Sequence, residues 1–196
     1  MTAYDHGLKR QVSGEQVQLK EVGIEGAYLL VPQVARDDRG TFARTFSSKE
    51  FEQLGLVTTL DQCAISHNPQ KGTLRGLHYQ LKPFQEIKIV RCSRGSIFDV
   101  LVDLREESPT YKNWFGVELS ENNLQMLYIP GGCAHGFISL IDNSEVFYQI
   151  SGSYNPEFAR GVPWNDPAFG ISWPIQPTLM SQKDRECLPY RERERA

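Results

Sequence analysis

Two of the four histidines stand where an imidazole could act as a base. His78 lies in Arg75-Gly76-Leu77-His78-Tyr79-Gln80 and His135 in Cys133-Ala134-His135-Gly136-Phe137; each follows a glycine-bearing turn and opens a strand-like stretch. A neutral imidazole has the right basicity to take a proton from an acidic C–H bond near neutral pH. Arg75, three residues before His78, and Lys88, at the start of the next apolar run, add two cations. A cationic pair beside a base suits an anionic ligand on which negative charge develops. In Glu86-Ile87-Lys88-Ile89-Val90 the alternation sets Lys88 opposite Ile87 and Ile89, which directs it to a barrel interior if those two fill the other face. Taken singly, each has a plainer reading: a buried histidine bonded to a backbone carbonyl, and ordinary surface charge for Arg75 and Lys88. His67, in Ser66-His67-Asn68-Pro69, reads as a surface turn residue, and His6 lies in the polar N-terminus.

The spacing of the two histidine segments is that of a degenerate cupin pattern. Gly72 precedes His78 by six positions, the second histidine of the pattern falls at Gln80 and its glutamate near Glu86, and Pro130-Gly131-Gly132 precedes His135. Metal cupins bind through three histidines and a glutamate. Two imidazoles and an out-of-register carboxylate make a weak metal site, so no metal is expected. A metal-dependent cupin isomerase or dioxygenase using His78, His135 and Glu86 is kept as an alternative.

The elements that must position these residues read as β-structure. Residues 97–104 (IFDVLVDL) alternate, with Phe98, Val100, Val102 and Leu104 on one side and Ile97, Asp99, Leu101 and Asp103 on the other. Residues 87–91, 114–119, 124–129, 136–140 and 145–150 are further short strands, separated by turn signals such as Ser108-Pro109 and Pro130-Gly131-Gly132. This spacing predicts an all-β sandwich or barrel. Ser47-Ser48-Lys49-Glu50, followed by Phe51 and Leu54, predicts a capped helix, and a second short helix is expected near Ser181 to Cys187.

A chain of 196 residues fits a single domain, 1–196, with a polar segment over 1–20 and a charged tail over 191–196. With 21 Lys and Arg against 24 Asp and Glu, the net charge of −3 argues against a nucleic-acid-binding surface. No apolar run approaches the ~20 residues that span a bilayer, and 1–20 has no apolar centre of a secretory signal. Cys63, Cys92, Cys133 and Cys187 form no CxxC pair and read as reduced thiols in a cytoplasmic protein.

Separated blocks, in order, resemble the dTDP-4-dehydrorhamnose 3,5-epimerase family of sugar-nucleotide epimerases. They are Asp38-Arg39-Gly40 with Phe42, Gly72 through Gln80, Lys88-Ile89-Val90-Arg91, Phe98-Asp99-Val100, Val102-Asp103-Leu104-Arg105, Tyr128-Ile129-Pro130, Ala134-His135-Gly136-Phe137, Tyr148, Tyr154, Trp164-Asn165-Asp166-Pro167, Trp173-Pro174 and Ser181-Gln182-Lys183-Asp184. The resemblance spans about Asp37 to Pro189. It implies a cupin-type jelly roll or double-stranded β-barrel with a few short helices, and a homodimer with exchanged N-terminal strands.

The activity implied is epimerisation at C3, C5 or both of a nucleotide-linked 4-keto-6-deoxyhexose, without a cofactor. The resemblance makes His78 the base, Asp184 its partner, Lys88 the stabiliser of the enolate oxygen and Tyr148 the acid on the opposite face. It assigns Arg39 and Arg75 to the diphosphate, with Gln62 nearby, and puts His135 and Lys183 in the same pocket; Phe42, from the first matching block, and Arg44, beside it, complete the expected substrate-binding set. Without the resemblance, Tyr148 reads as a packed strand aromatic. Two departures touch nucleotide recognition. Arg44 follows Ala43 where the family usually carries a glutamate, and the usual Gln-x-Asn is missing around Gln62-Cys63-Ala64-Ile65-Ser66, which leaves His67 or Asn68 as its substitute. A sugar-nucleotide-binding protein without catalysis is the remaining alternative.

Overall fold

The computed structural model describes residues 17–190. The expectations for His6, for residues 1–16 and for the 191–196 tail lie outside the described residues. Residues 17–20 belong to the fold: β1 (Val17–Glu21) pairs antiparallel with β2 (Tyr28–Pro32) of the same chain, with Val17 and Leu19 buried.

The alternation of apolar residues resolves into eleven strands in two sheets and a separate hairpin. After β2 come β3 (Val34–Asp37) and β4 (Gly40–Ala43), which pair only with each other, and then the helix α1 (Ser48–Gln53). The chain continues through β5 (Gln62–Asn68), β6 (Leu74–Gln80), β7 (Ile87–Arg94), β8 (Ser96–Asp103), β9 (Trp114–Ser120), β10 (Met126–Ile129) and β11 (Cys133–Ser139). It closes with β12 (Ser144–Ser151), β13 (Ala159–Gly161) and α2 (Gln182–Arg185). One sheet has the order β1-β2-β10-β7-β12-β5 and the other β13-β6-β11-β8-β9, all antiparallel. This is the all-β cupin-type sandwich that the sequence implies.

The alternation in β8 has the meaning expected of it. Ile97 and Leu101 enter the core between the sheets, with Val90, Leu127, Phe137 and Val146, while Val100 and Val102 pack on the far face under Val162, Phe169 and Tyr190 of the C-terminal segment. Both faces of this strand are therefore buried. Each such fully buried aliphatic side chain contributes about 1.5–3 kcal/mol. The α1 helix covers the outer face of the first sheet through Phe51 and Leu54, against Ile89 and Met126. Its Ser47 cap accepts the Glu50 N–H, as the sequence predicts, while the Glu50 carboxylate accepts the Val17 N–H at 2.7 Å and ties the start of β1 to the helix.

Three expectations are corrected. Strand β10 starts at Met126 rather than Leu124, because Leu124 has φ +54° in the turn that follows β9. His78 and His135 sit inside β6 and β11 rather than at strand openings, since pairing continues on the N-terminal side of each. His67 lies in the edge strand β5, paired with Glu145, and not in a turn. All four cysteines are free thiols. Among the described residues no helix is long and apolar enough to cross a membrane.

Candidate active site

Glycines bring the two histidine strands together. Gly76 has φ +110°, and a Cβ there would lie 2.6 Å from the His135 carbonyl oxygen; one on Gly136 would lie 2.7 Å from the Arg75 carbonyl oxygen. With no side chain at either point, β6 and β11 approach closely beside the register shift that sets His135 opposite His78. On the other side of β6, Gly161 is the partner of His78, and its missing side chain leaves room for Cys187 and the imidazole.

The His78 ring is 43% exposed and its Nε2 lies 2.6 Å from Oδ1 of Asp184, which is buried. Asp184 comes from the first turn of α2, where Ser181 caps the helix and its Oγ accepts the Asp184 N–H at 3.1 Å. Burial opposes ionisation of Asp184, but the hydrogen bond and charge of His78, with the Ser181 and Gly76 bonds, outweigh it and hold its carboxyl below the usual value. An ionised carboxylate on one ring nitrogen fixes the imidazole and stabilises the imidazolium formed when the other takes a proton.

The dyad forms one wall of a cavity of about 450 Å³ that also presents Arg75, Tyr154, Arg160 and Lys183. Arg75 is exposed, and its Nε donates to Oδ1 of the fully buried Asn68 at 2.8 Å. Asn68 therefore aims the guanidinium from the region where the Gln-x-Asn signal is missing. Tyr154 is 57% exposed and supplies an aromatic face.

Lys88, Tyr148 and His135 lie on the inner faces of the sheets. Ile89 packs outward under α1 while Val90 and Cys92 enter the central core, so Lys88 shares their inward face, as its alternation predicts. Tyr148 is the cross-strand partner of Val90, and Ile150 that of Lys88, which puts the phenol and the ammonium on one face of adjacent strands. Lys88 Nζ lies 3.3 Å from Glu86 Oε2, with both side chains largely buried. The Tyr148 hydroxyl is 3.4 Å from Ser66 Oγ, and burial pushes its phenol well above the ordinary value, so it remains protonated. Its ring stands edge-on to His135 at 6.2 Å between centroids, and His135 Nε2 bonds Oδ1 of Asp99 at 2.8 Å.

Like Lys88, Tyr148 and His135, the remaining expected residues are not among those that line the His78 cavity. Arg39 and Phe42 are exposed on the β3–β4 hairpin, which lines a different hollow, and Arg44 is exposed just beyond it. Gln62 donates to the Gly152 carbonyl at 3.0 Å and does not line the His78 cavity. Gln80, at the cupin metal position, is buried and stitches loops together: its amide donates to the Phe84 and Ser153 carbonyls and its Oε1 accepts the Asn155 N–H. Among the described residues no cluster of three or more His, Cys, Asp or Glu side chains is placed to hold a metal ion. Sequence reasoning missed Tyr154, Arg160, Ser66 and Asp99 around these groups. The only signal for Tyr154 and Asp99 was their presence in the matching blocks.

Comparison with known proteins agrees with this architecture. The family model for dTDP-4-dehydrorhamnose 3,5-epimerase matches residues 21–192. The dTDP-4-dehydrorhamnose 3,5-epimerase of Methanothermobacter thermautotrophicus is 43% identical over 175 residues, which cover 88% of this chain and 94% of that protein. The crystal structure of the enzyme of that name from Elizabethkingia anophelis superposes with a TM-score of 0.86 at 35% identity, covering 91% of this chain and 98% of that one. The Bacillus anthracis structure, with TDP and PPi bound, gives 0.85 at 38% identity over 88% of this chain and 99% of that one. The chain belongs to the dTDP-4-dehydrorhamnose 3,5-epimerase family of isomerases.

Proposed function

We propose that this protein epimerises C3, C5 or both of a dTDP-linked 4-keto-6-deoxyhexose by proton removal and return, without a cofactor. The C4 ketone acidifies the hydrogens on both neighbouring carbons, because either carbanion delocalises onto the same oxygen. His78 takes the proton through Nδ1, the ring nitrogen that Asp184 does not hold. The electron pair of the broken C–H bond moves into the carbonyl, and Lys88 meets the enolate oxygen that results. Tyr148 returns a proton to the carbon from the opposite face, which inverts it. Arg75 and Lys183 at the cavity wall bind the diphosphate, and Tyr154 offers a surface on which a base can stack.

Arg39, Phe42 and Arg44 do not line the His78 cavity of their own chain, so in this reading they serve the cavity of a second copy in a cytoplasmic homodimer. The observation that carries the reading is the 2.6 Å bond between His78 and Asp184 in a cavity that also presents Arg75 and Lys183. Deuterium wash-in from heavy water into a dTDP-4-keto-6-deoxyhexose, followed by mass spectrometry, tests it. Incorporation at C3 or C5 is expected with the wild type. Incorporation no faster than with His78→Ala, for this and other nucleotides, would refute it.

A further inference from the structure

The inner face holds a second histidine–carboxylate pair, deeper than the first. Asp99 follows the inward alternation of β8 and is fully buried, and His135 is almost as deep. Asp99 Oδ1 bonds His135 Nε2 at 2.8 Å, while Oδ2 has no partner among the described residues. A bare carboxylate oxygen in an apolar interior is destabilising, and an aliphatic side chain would fill the same space without that penalty. Packing therefore gives no reason for an acid at this position, and what remains is its effect on His135.

An ionised Asp99 obliges Nε2 to carry the proton. That fixes the rotation of the ring and sets Nδ1 as the acceptor of the neutral imidazole, or as a second donor when the ring is charged. The ring so held faces His78 across the strand ladder and stands edge-on to Tyr148. Three basic side chains on this inner surface share the arrangement: Asp184 behind His78, Glu86 beside Lys88, Asp99 behind His135.

We propose that Asp99 is a positioning residue of the epimerisation: it locks His135 with Nε2 protonated, so that Nδ1 meets the bound sugar beside Tyr148. The inference rests on the epimerase reading above. Two measurements test it, one of which needs no turnover. The 15N resonances of His135 in the wild-type protein report the tautomer directly. A protonated Nε2 is expected, and an unprotonated Nε2 overturns the proposal whatever the enzyme's substrate.

The second measurement is kcat and KM on a dTDP-4-keto-6-deoxyhexose for wild type, Asp99→Asn, His135→Ala and the double variant, with His78→Ala as the inactive control and thermal unfolding as the check on folding. Asparagine keeps the volume but can turn its amide N–H toward Nε2 and impose the other tautomer. Asp99→Asn should lose roughly 30- to 100-fold in kcat with KM within about threefold, an effect smaller than that of amidating the carboxylate behind a general base. The double variant should be no worse than His135→Ala alone, because Asp99 acts through that ring. A kcat within twofold of wild type, or losses that multiply in the double variant, overturns the proposal. A wild type no more active than His78→Ala refutes the epimerase reading instead, and the tautomer measurement still decides the place of Asp99.

Discussion

The inner surface of the sandwich and the β3–β4 hairpin carry similar residues, held in opposite ways. Inside, His78, Lys88 and His135 each have a buried or largely buried carboxylate against them, and Asn68 aims Arg75. On the hairpin, the Arg39 side chain is 90% exposed and bonds Asp37 of its own turn, and Phe42 is 67% exposed. Groups fixed before the ligand arrives can act on a transition state without reorganisation; groups ordered by the ligand or by a partner contribute mainly to binding. Substitutions in the two regions should therefore separate into losses of kcat and losses of KM.

The largest effect is expected at His78. His78→Ala removes the base for both carbons, and isotope exchange at C3 and C5 should fall together by about a thousandfold or more. Exchange surviving at one carbon alone would show a second base and break the picture of a single preorganised centre. Asp184→Asn should follow, with a loss of about a hundredfold in kcat and little change in KM, since it leaves the ring in place and removes the charge that supports the imidazolium. Steady-state kinetics separate the two terms. Tyr148→Phe should cost about tenfold more in product formation than in exchange, because the base still removes the proton while its return to the other face fails. Equal product yields from Tyr148→Phe and wild type would remove Tyr148 from the acid role.

A control sharpens the comparison. Asp103 is as deeply buried as Asp99 but has no histidine against it; Arg105, Ser108 and Thr110 donate to it instead. Burial opposes its ionisation, yet those bonds outweigh burial and hold its carboxyl at about 2, against the ordinary 3.8. The folded-state value is the depressed one, so the stabilisation is complete above about pH 4 and is lost as pH falls toward 2, in total about 2 kcal/mol. Asp103→Asn should flatten that part of the acid-unfolding curve and leave kcat within about threefold, where Asp184→Asn does not.

How much of this was legible follows from the range of each interaction. The alternation in β8 and at Lys88 is local, and so is the Ser181 cap that starts α2, so both inward faces and the helix carrying Asp184 could be read from neighbours in sequence. The bond that makes the dyad joins positions 106 residues apart and exists only once β6, β13 and α2 are assembled. Only the resemblance could supply it. Strand β5 was missed because an edge strand has no buried partner on its free side: Cys63, Ala64, Ile65 and His67 are all exposed, and no apolar period marks them. Gln80 and Asn68 looked like altered site positions; one stitches loops together and the other orients an arginine, roles set by backbone groups that a sequence does not display.

The smallest expected effect bears most directly on the contrast between the two regions. Arg39→Ala and Phe42→Ala remove exposed side chains with no part in the core, so unfolding should be unchanged. If the hairpin serves a bound nucleotide, KM should rise about five- to tenfold with kcat within about twofold, which corresponds to about 1 kcal/mol of binding. A mixed dimer separates the two ways this can happen. Combining His78→Ala subunits with Arg39→Ala subunits should restore wild-type KM in the fraction of sites that pair an intact cavity with an intact hairpin from the other chain. If the hairpin instead folds back onto its own cavity when substrate binds, every site in the mixed dimer has one defect and no restoration occurs. That result would leave the inner surface as the catalytic centre and make the hairpin a mobile part of the same subunit's site.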